Sequence, residues 1–219
     1  MKNIKHILQI LLLLLLCSDI SAQVPVIKEP HHKPVLVNNY VRLLDVHLNA
    51  GDTTLYHIHA TPSVIVILSN STVGMQKMGE APSTPNNTTI GATSFVDYGT
   101  NPITHRVFNA GNNIFHVMDI EIVPREPSPD SFSVLKQSNI QTIVNEKLVR
   151  TYKFDINAHD SLTVDKSNNA HLLICTNGEI IASNKIIKTG EYAFFNPNTD
   201  ITLNNKNSDK STCVLLELK

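Results

Sequence analysis

Apolar residues in this chain occur in short runs separated by clusters of Asn, Gly, Pro and Ser. The strongest runs cover residues 64–68, 114–123, 172–175 and 213–218. Such runs, with no convincing amphipathic helix of useful length between them, are typical of β-strands. Short strands at close spacing therefore predict an all-β sandwich or barrel.

A loose internal repeat divides the chain into two parts. Residues 40–52 reappear as residues 148–160, with Arg42 matching Arg150 and with apolar residues matching in alternation. Two equivalent strands that bury the same face require this kind of match. The repeat predicts a tandem duplication in which one β domain follows another.

Domain boundaries follow from the repeat and from a Pro-rich segment that begins at Pro124. We predict a first domain at residues 23–124, a linker at 125–147 and a second domain at 148–219. Within this linker, residues 132–146 leave room for a short helix.

The N-terminal residues have the layout of a secretory signal peptide. Two lysines precede an apolar stretch at residues 7–16, and we predict a signal peptide at residues 1–22. The stretch is too short for the roughly 20 residues that span a bilayer, so we expect a periplasmic or secreted protein without a membrane span. A lipid anchor at Cys17 is the alternative, although Leu16 stands where a lipoprotein signal normally has a small residue.

Charge and cysteine content limit the classes of partner and scaffold. The chain has 18 Lys and Arg against 19 Asp and Glu, a net charge of −1, which suggests neither nucleic acid nor an anionic membrane as partner. Beyond the signal peptide the cysteines are Cys175 and Cys213, too few for a disulfide-dense scaffold. An exported protein can oxidise this pair, and two buried thiols are the alternative.

Three histidines carry the clearest chemical signal. His57 and His59 are one residue apart, and residues i and i+2 of a strand point to the same face. One strand can therefore aim both imidazoles at a single point. A third imidazole from a neighbouring strand would complete a metal site, and His105 is the candidate.

The frame around the first two histidines resembles the first motif of the cupin superfamily. That motif is Gly, five residues, His-x-His, three or four residues, Glu, six residues and Gly. Here Gly51, His57 and His59 are followed at the same spacings by Ser63 and Asn70. Ser63 therefore stands where the family has its glutamate.

A second motif of the family is matched around the third histidine. The family pattern is Gly, five residues, Pro-x-Gly, two residues, His, three residues and Asn. This chain has Gly91, Gly99, His105 and Asn109, with five residues instead of two before the histidine. The resemblance covers most of residues 38–123 and implies two tandem cupin-type jelly-roll β-barrels, that is, double-stranded β-helices.

The resemblance also implies the ligand set and the cofactor. His57, His59 and His105 would hold one divalent transition metal, with Fe, Mn, Zn, Ni and Cu all acceptable because imidazole suits several of these ions. Three protein ligands with open positions are typical of a catalytic metal. Without a glutamate ligand the site keeps its full positive charge, which favours an anionic substrate. Ser63 is a candidate for a substrate or outer contact near the metal, and a polar strand residue is the alternative.

The second copy keeps the apolar pattern and loses the ligands. The offset of the repeat places Asp165 and Ser167 at the positions of His57 and His59, and Leu203 matches His105. We therefore predict a degenerate second cupin domain that covers the first barrel or supports an interface. An independent ligand pocket is the alternative.

Six further histidines lack such a frame, and we interpret them as surface or locally hydrogen-bonded residues. Of these, His47 lies opposite the apolar face of its strand and is expected to be exposed, whereas alternation leaves open that His116 faces the pocket. The six are His31, His32, His47, His116, His159 and His171.

Taken together, these features favour an exported metal-binding bicupin. It is either a metal-dependent enzyme, such as a dioxygenase or an isomerase, acting on a small anionic or sugar-like molecule, or a non-catalytic small-molecule-binding or structural protein. Fold analogy cannot choose between these classes. The sequence leaves open whether the protein is a monomer or a homodimer.

Overall fold

The computed structural model describes residues 23–126, 134–135 and 139–219. The predicted signal peptide, with Cys17 inside it, lies outside these residues, so export and the alternative lipid anchor stay predictions. No helix in the described part of the chain is long and apolar enough to cross a membrane.

Almost all of the regular secondary structure in the described residues is β-strand, which confirms the all-β prediction. The first unit, from residue 23 to residue 126, contains a short 3-10 helix at Val26–Lys28 and the strands β1 (Val24–Pro25), β2 (His32–Val37), β3 (Val41–Leu48), β4 (His57–His59), β5 (Ser63–Ile67), β6 (Thr72–Lys77), β7 (Asn86–Asn87), β8 (Thr93–Val96), β9 (Ile103–Asn109) and β10 (Phe115–Ile122). The second unit, from residue 139 to residue 219, contains β11 (Ile140–Asn145), β12 (Val149–Ile156), β13 (Ser161–Val164), β14 (Ala170–Asn177), β15 (Glu179–Ala182), β16 (Lys185–Lys188), β17 (Tyr192–Phe195), β18 (Ile201–Asn204) and β19 (Ser211–Leu218).

Part of the predicted linker is a strand. Residues 140–145, where the sequence left room for a helix, form β11 and pair antiparallel with β12. Ile143 is partly buried and Val144 is buried, with a register shift between Thr142 and Val144, and both side chains pack into the apolar cluster between the two units. The second unit therefore begins before residue 148.

Each unit consists of two sheets with the same internal order. In the first unit the sheets run β2-β3-β10-β5-β8 and β1-β4-β9-β6-β7. In the second unit they run β11-β12-β19-β14-β17 and β13-β18-β15-β16. An Arg–Glu pair also recurs on equivalent central strands, as Arg42 with Glu121 and Arg150 with Glu217. The tandem duplication remains a prediction, which this correspondence supports.

Three apolar clusters hold these sheets together. One lies inside the first unit, around Leu44, Val46 and Val117, and a second fills the interior of the second unit. The third packs the outer face of β3 and β10 against the outer face of β12 and β19, with Leu43 and Leu216 among its fully buried members. Burying each such side chain contributes roughly 1.5–3 kcal/mol, so the second unit stabilises the sheet that carries the first interior.

The side-chain register of the second unit differs from the prediction. Asn109 and Asn205 have equivalent roles, since each amide donates to the carbonyl oxygen that ends the central strand, Leu48 O at 3.0 Å and Ile156 O at 3.0 Å. In the first unit His105 stands four residues before Asn109 and pairs across the strands with His57. In the second unit the residue four before Asn205 is Ile201, which pairs with Val164.

The predicted alignment of the second unit with the first is wrong at the ligand strands, where Val164 and not Asp165 corresponds to His57. The buried apolar residues Val164 and Ile201, and not Asp165 and Leu203, occupy the positions of His57 and His105. Two residues after Val164 stands the exposed Lys166, where the prediction placed Ser167. The conclusion that the second unit lacks the three histidines is unchanged.

The two cysteines face each other across neighbouring strands. Cys175 on β14 is the direct partner of Cys213 on β19, and both are free and buried. The backbone N–H of Cys175 donates to the carbonyl oxygen of Glu191, and its carbonyl oxygen accepts from the N–H of Gly190, on the side of β14 away from β19. The structure therefore agrees with the alternative of two buried thiols.

Candidate metal centre

Three histidines converge because two short strands of the first unit pair in register. His57 and His59 are the ends of β4, and His105 on β9 is the antiparallel partner of His57. All three side chains are buried, and each lines one cavity between the two sheets of the unit. The structure thus brings together the three residues that the sequence singled out.

The distances among these rings are short. The Nε2 atoms of His57 and His105 are 3.1 Å apart. The ring of His59 lies 4.9 Å from the ring of His57 and 4.9 Å from that of His105. Such a cluster of imidazoles in an apolar interior has few hydrogen-bonding partners of its own.

A fourth histidine belongs to the cluster, which corrects the interpretation of His32. On β2 it pairs with Val46, whose side chain faces the cavity, so the register of the sheet turns His32 inward as well. Its ring lies 4.6 Å from that of His57. Potential ligand atoms of His32, His57 and His59 all lie within 4.8 Å of one another. His32 does have a local hydrogen bond, but it is buried in the cavity wall and not on the surface.

Hydrogen bonds to the Nδ1 atoms orient two of the rings. His57 Nδ1–H donates to the carbonyl oxygen of Leu55 at 2.9 Å, and His32 Nδ1–H donates to Glu29 at 2.7 Å. Each bond leaves the Nε2 lone pair of that ring free. Carboxylate and carbonyl partners of this kind are typical of histidines that bind metals.

Glu29 organises the N-terminal side of the site. Its carboxylate accepts hydrogen bonds from the side chains of His31 and His32 and from the N–H of Leu55. Burial by itself raises the pKa of Glu29, but these hydrogen bonds outweigh it and lower the pKa to about 2. The carboxylate is therefore charged at neutral pH and fixes both His32 and the segment that leads into β4.

The three histidines His57, His59 and His105 are neutral at physiological pH. Burial, reinforced by neighbouring imidazoles, lowers the pKa of His57 to about 4, of His59 to about 2 and of His105 to about 3. A neutral imidazole is the form that binds a metal. The cluster is thus ready to accept a cation without first losing protons.

These depressed pKa values predict that the metal-free protein loses stability in mild acid. Below the ordinary histidine pKa of 6.5, the unfolded chain binds more protons than the folded chain. The stability is therefore fully present above pH 6.5 and falls as the pH decreases, by up to about 2 kcal/mol per histidine at pH 5. Urea unfolding at pH 7.5 and pH 5 measures the loss. Equal free energies of unfolding at the two pH values would contradict the prediction, and a His57→Gln/His105→Gln variant should lose less.

A buried carboxyl group stands behind the histidines. Asp119 on β10 lies beside Leu44 and Ile65, which face inward, and its Oδ2 is 3.5 Å from Nδ1 of His59. Burial, followed by repulsion from Glu121, raises the pKa of Asp119 to about 7. The Ser63 hydroxyl lies near enough to lower this pKa in part, but neither carboxyl oxygen accepts a hydrogen bond of normal geometry. This side chain can hold or release a proton at neutral pH.

Ser63 has no direct contact with the cavity. It is fully buried, donates to the carbonyl oxygen of Thr61 at 3.2 Å and is not among the residues that line the cavity. Its hydroxyl helps to limit the rise in the pKa of Asp119. Its candidate role as a contact outside the ligand shell fits this position, whereas a substrate contact does not.

The cavity itself is large enough for a small molecule. Its volume is about 490 Å³. One end holds the histidines, Asp119 and Tyr98, and the ring of Tyr98 packs 4.7 Å from that of His59. No Lys or Arg lines it, and the remaining wall is mainly apolar, with contributions from Val46, Leu48, Ile65, Ile67, Val73, Val107, Phe115 and Val117.

The other histidines lie away from this cluster. His116 faces the outside of its sheet and not the cavity, with its ring stacked 4.0 Å from that of His47. His47 is exposed as expected, and His159 is also exposed. His171 is buried in the second unit, where burial lowers its pKa.

The residues present fit a divalent transition metal. Nitrogen ligands in a neutral, buried set suit the ions of the first transition row. The 3.1 Å separation of two Nε2 atoms is close to the spacing of neighbouring ligands on one ion. No hydrogen-bond partner is present for Nδ1 of His59, Nδ1 of His105 or the Asp119 oxygens. Unsatisfied buried polar groups of this kind indicate a binding site for a further atom or ion.

Comparisons with known proteins agree with this architecture. No protein-family model and no curated protein matches the chain. A solved bacterial pirin from Escherichia coli in complex with nickel(II) is 17% identical with a TM-score of 0.61, and the alignment covers 85% of this chain and 90% of that chain. A salicylate 1,2-dioxygenase mutant from Pseudoaminobacter salicylatoxidans is 8% identical with a TM-score of 0.57, covering 82% of this chain and 71% of that chain.

A third structure carries the name of the fold. A cupin 2 conserved barrel domain protein from Leptotrichia buccalis is 11% identical with a TM-score of 0.52, and the alignment covers 84% of this chain and 86% of that chain. Identities this low show a shared fold and do not show a shared activity. With its paired β-sheets and its inward-facing histidines, this chain has the fold of the cupin superfamily.

Proposed function

We propose that the first unit is a metal centre in which His32, His57, His59 and His105 hold one divalent transition metal. The observation that carries the proposal is the buried, neutral histidine cluster with two Nε2 atoms 3.1 Å apart. His32 supplies from β2 the additional ligand that the family motif would take from a glutamate at position 63. The nickel(II) complex of the similar pirin supports a metal in this fold.

We propose further that the centre is catalytic and acts on a small molecule with an apolar body and an anionic group. The apolar wall would receive the body of the substrate. Imidazole carries no charge when it binds a metal, so these ligands leave the charge of the ion uncompensated, which favours an anionic group at the polar end. A sugar would leave most of its hydroxyl groups without partners against this wall, so we prefer an apolar compound to the sugar-like alternative.

Two side chains of the cavity can take part in the chemistry. Asp119, with its pKa raised to about 7, can accept or return a proton inside the cavity. Tyr98, whose pKa burial raises to about 12, stays protonated and can donate a hydrogen bond to an anionic group. A bound metal supplies a Lewis acid or a site for oxygen chemistry. The apolar wall excludes water from the reacting groups.

The test of catalysis is turnover by the metal-loaded protein. Chelator-treated protein is reloaded separately with Fe(II), Mn(II), Ni(II), Zn(II) or Cu(II), and each form is incubated with aromatic and aliphatic hydroxy and keto acids, with and without oxygen. Product formation that requires the metal and is absent from a His57→Ala/His59→Ala variant would support an enzyme. Metal binding with saturable ligand binding and no turnover would instead favour a non-catalytic binding protein.

Replacement of Asp119 separates catalysis from metal binding. We expect Asp119→Asn to retain the metal and to lower kcat by about 100-fold or more, because the amide cannot transfer the proton. Metal analysis and steady-state kinetics on the same preparation measure the two effects. An unchanged kcat would contradict the role of Asp119. Asp209→Asn, the same substitution at an exposed carboxylate of the second unit, is the matched control and should affect kcat much less.

The second unit has a supporting role in this proposal. Its interior is filled by apolar side chains, and its outer face packs against the sheet that carries Asp119 and His32. Residues at its equivalent positions are Val164 and Ile201, which cannot bind a metal. We therefore propose a degenerate second cupin domain whose function is to cover the first, in an exported protein.

A further inference from the structure

A second cluster of potential metal ligands lies outside the cavity. It consists of Asp45 and His47 on β3 and His116 on β10. Potential ligand atoms of these three residues lie within 4.8 Å of one another. Asp45 and His47 alternate with the inward-facing Leu44, Val46 and Leu48, so the cluster is on the opposite face of the sheet from the four histidines.

Backbone pairing fixes the geometry of this cluster. His47 and His116 are direct cross-strand partners, and their rings stack at 4.0 Å with an angle of 21° between the planes. Asp45 is two residues from His47 on the same strand and therefore shares its face. Its Oδ1 is 2.7 Å from Nε2 of His116 and 3.7 Å from Nδ1 of His47. Three ligand atoms are thus directed to one small volume.

The surroundings leave access for an ion. The side chain of His47 is 52% exposed, and those of Asp45 and His116 are 23% and 19% exposed. On the side that faces the second unit, Gly190 approaches the His116 ring so closely that an added Cβ would lie 3.1 Å from Cε1. Gly190 therefore covers one side of the His116 ring, whereas solvent reaches the ligand atoms from the side of the exposed His47.

From this geometry we infer that Asp45, His47 and His116 form a second binding site for a divalent transition metal. Two imidazoles and one carboxylate suit Zn(II) and its neighbours in the transition row. Water occupies the remaining positions of the ion, because the site is open to solvent. The ion braces β3 and β10 where the first unit meets the second. This site is independent of the proposed function, since it shares no residue with the four-histidine centre.

Zinc titration of the chelator-treated protein by calorimetry tests the inference. We expect two zinc ions per chain, one of which is lost or bound more than about 10-fold more weakly in Asp45→Asn and in His47→Ala, because even an outer partner of a metal ligand is worth that much. His57→Ala/His59→Ala should lose the other ion and keep this one. His159→Asn, which replaces an exposed histidine of the second unit at a backbone φ of 62°, is the matched control and should bind zinc like the original chain.

The outcomes separate this site from the first. Both test variants change side chains that are partly exposed, so circular dichroism should show the same fold. Unchanged zinc number and affinity in Asp45→Asn and His47→Ala would overturn the second site. A single zinc ion that disappears in His57→Ala/His59→Ala would also overturn it, while leaving the first centre intact. A single zinc ion that disappears in Asp45→Asn and His47→Ala and is kept in His57→Ala/His59→Ala would count against the proposed function and not against this site.

Discussion

Replacing His57 and His59 together by alanine is expected to lower the affinity of the main centre for its metal by far more than about 100-fold. Even an outer partner of a metal ligand is worth about 10–100-fold, and this variant removes two of four direct ligands. The two side chains lie at the ends of one short strand, so their loss leaves His105 and His32 on separate strands. Competition with a chromophoric chelator measures the change in affinity.

His159→Asn is the control for a general effect of losing an imidazole. It should keep the original affinity, because His159 is exposed in the second unit. Circular dichroism and urea unfolding show whether the double variant still folds. A folded double variant with unchanged affinity would mean that the metal, if any, binds elsewhere.

Replacing His32 by alanine should weaken metal binding by about 10–100-fold or more, although no motif includes this residue. Its Nδ1–H is fixed by Glu29, and its ring packs 4.6 Å from that of His57. The variant loses one ligand and also the contact that ties the N-terminal segment to the centre. The same chelator competition measures the effect.

The neighbouring histidine offers a close control for this variant. His31 also donates to Glu29, at 3.0 Å, but it does not line the cavity that holds the four clustered histidines. His31→Ala should therefore change the affinity much less than His32→Ala does. Equal effects of the two substitutions would contradict a ligand role for His32 and would point to Glu29 as the important group.

Local patterns in the sequence were enough to predict the class of fold. The apolar runs at residues 64–68 and 114–123 correspond to β5 and β10 within a residue at each end. Alternation along β3 also predicted its buried inner face. The motif residues Gly51 and Gly91 both have positive φ, 83° and 80°, which is the backbone region that favours glycine.

The second unit shows where such reasoning stops. A fixed offset aligned β3 with β12 but failed for the next strand, because the connecting loop is shorter by one residue. A one-residue slip turns every side chain of a strand to the other face, so the prediction placed Asp165 at the position that the buried Val164 occupies. The predicted short helix failed for a related reason, since pairing with β12 makes residues 140–145 a strand.

For the candidate site, the sequence identified the residues that a motif contains and missed those that the tertiary structure adds. His57, His59 and His105 stood at motif spacing. His32 comes from an N-terminal strand whose position depends on pairing with β3, and a sequence without a matched motif gives no sign of that pairing. Asp119 was hidden in an apolar run, where an acidic residue is easily interpreted as exposed. The available signal was a pair of acidic residues, Asp119 and Glu121, within a buried strand.

X-ray absorption and anomalous diffraction from crystals of the metal-loaded protein test the central claim most directly. We predict one metal ion in the cavity of the first unit, coordinated by nitrogen atoms of His32, His57, His59 and His105 at about 2.0–2.2 Å. In solution the absorption spectrum should show the multiple scattering of imidazole ligands. A metal found only outside this cavity, or one surrounded by oxygen ligands alone, would contradict the account.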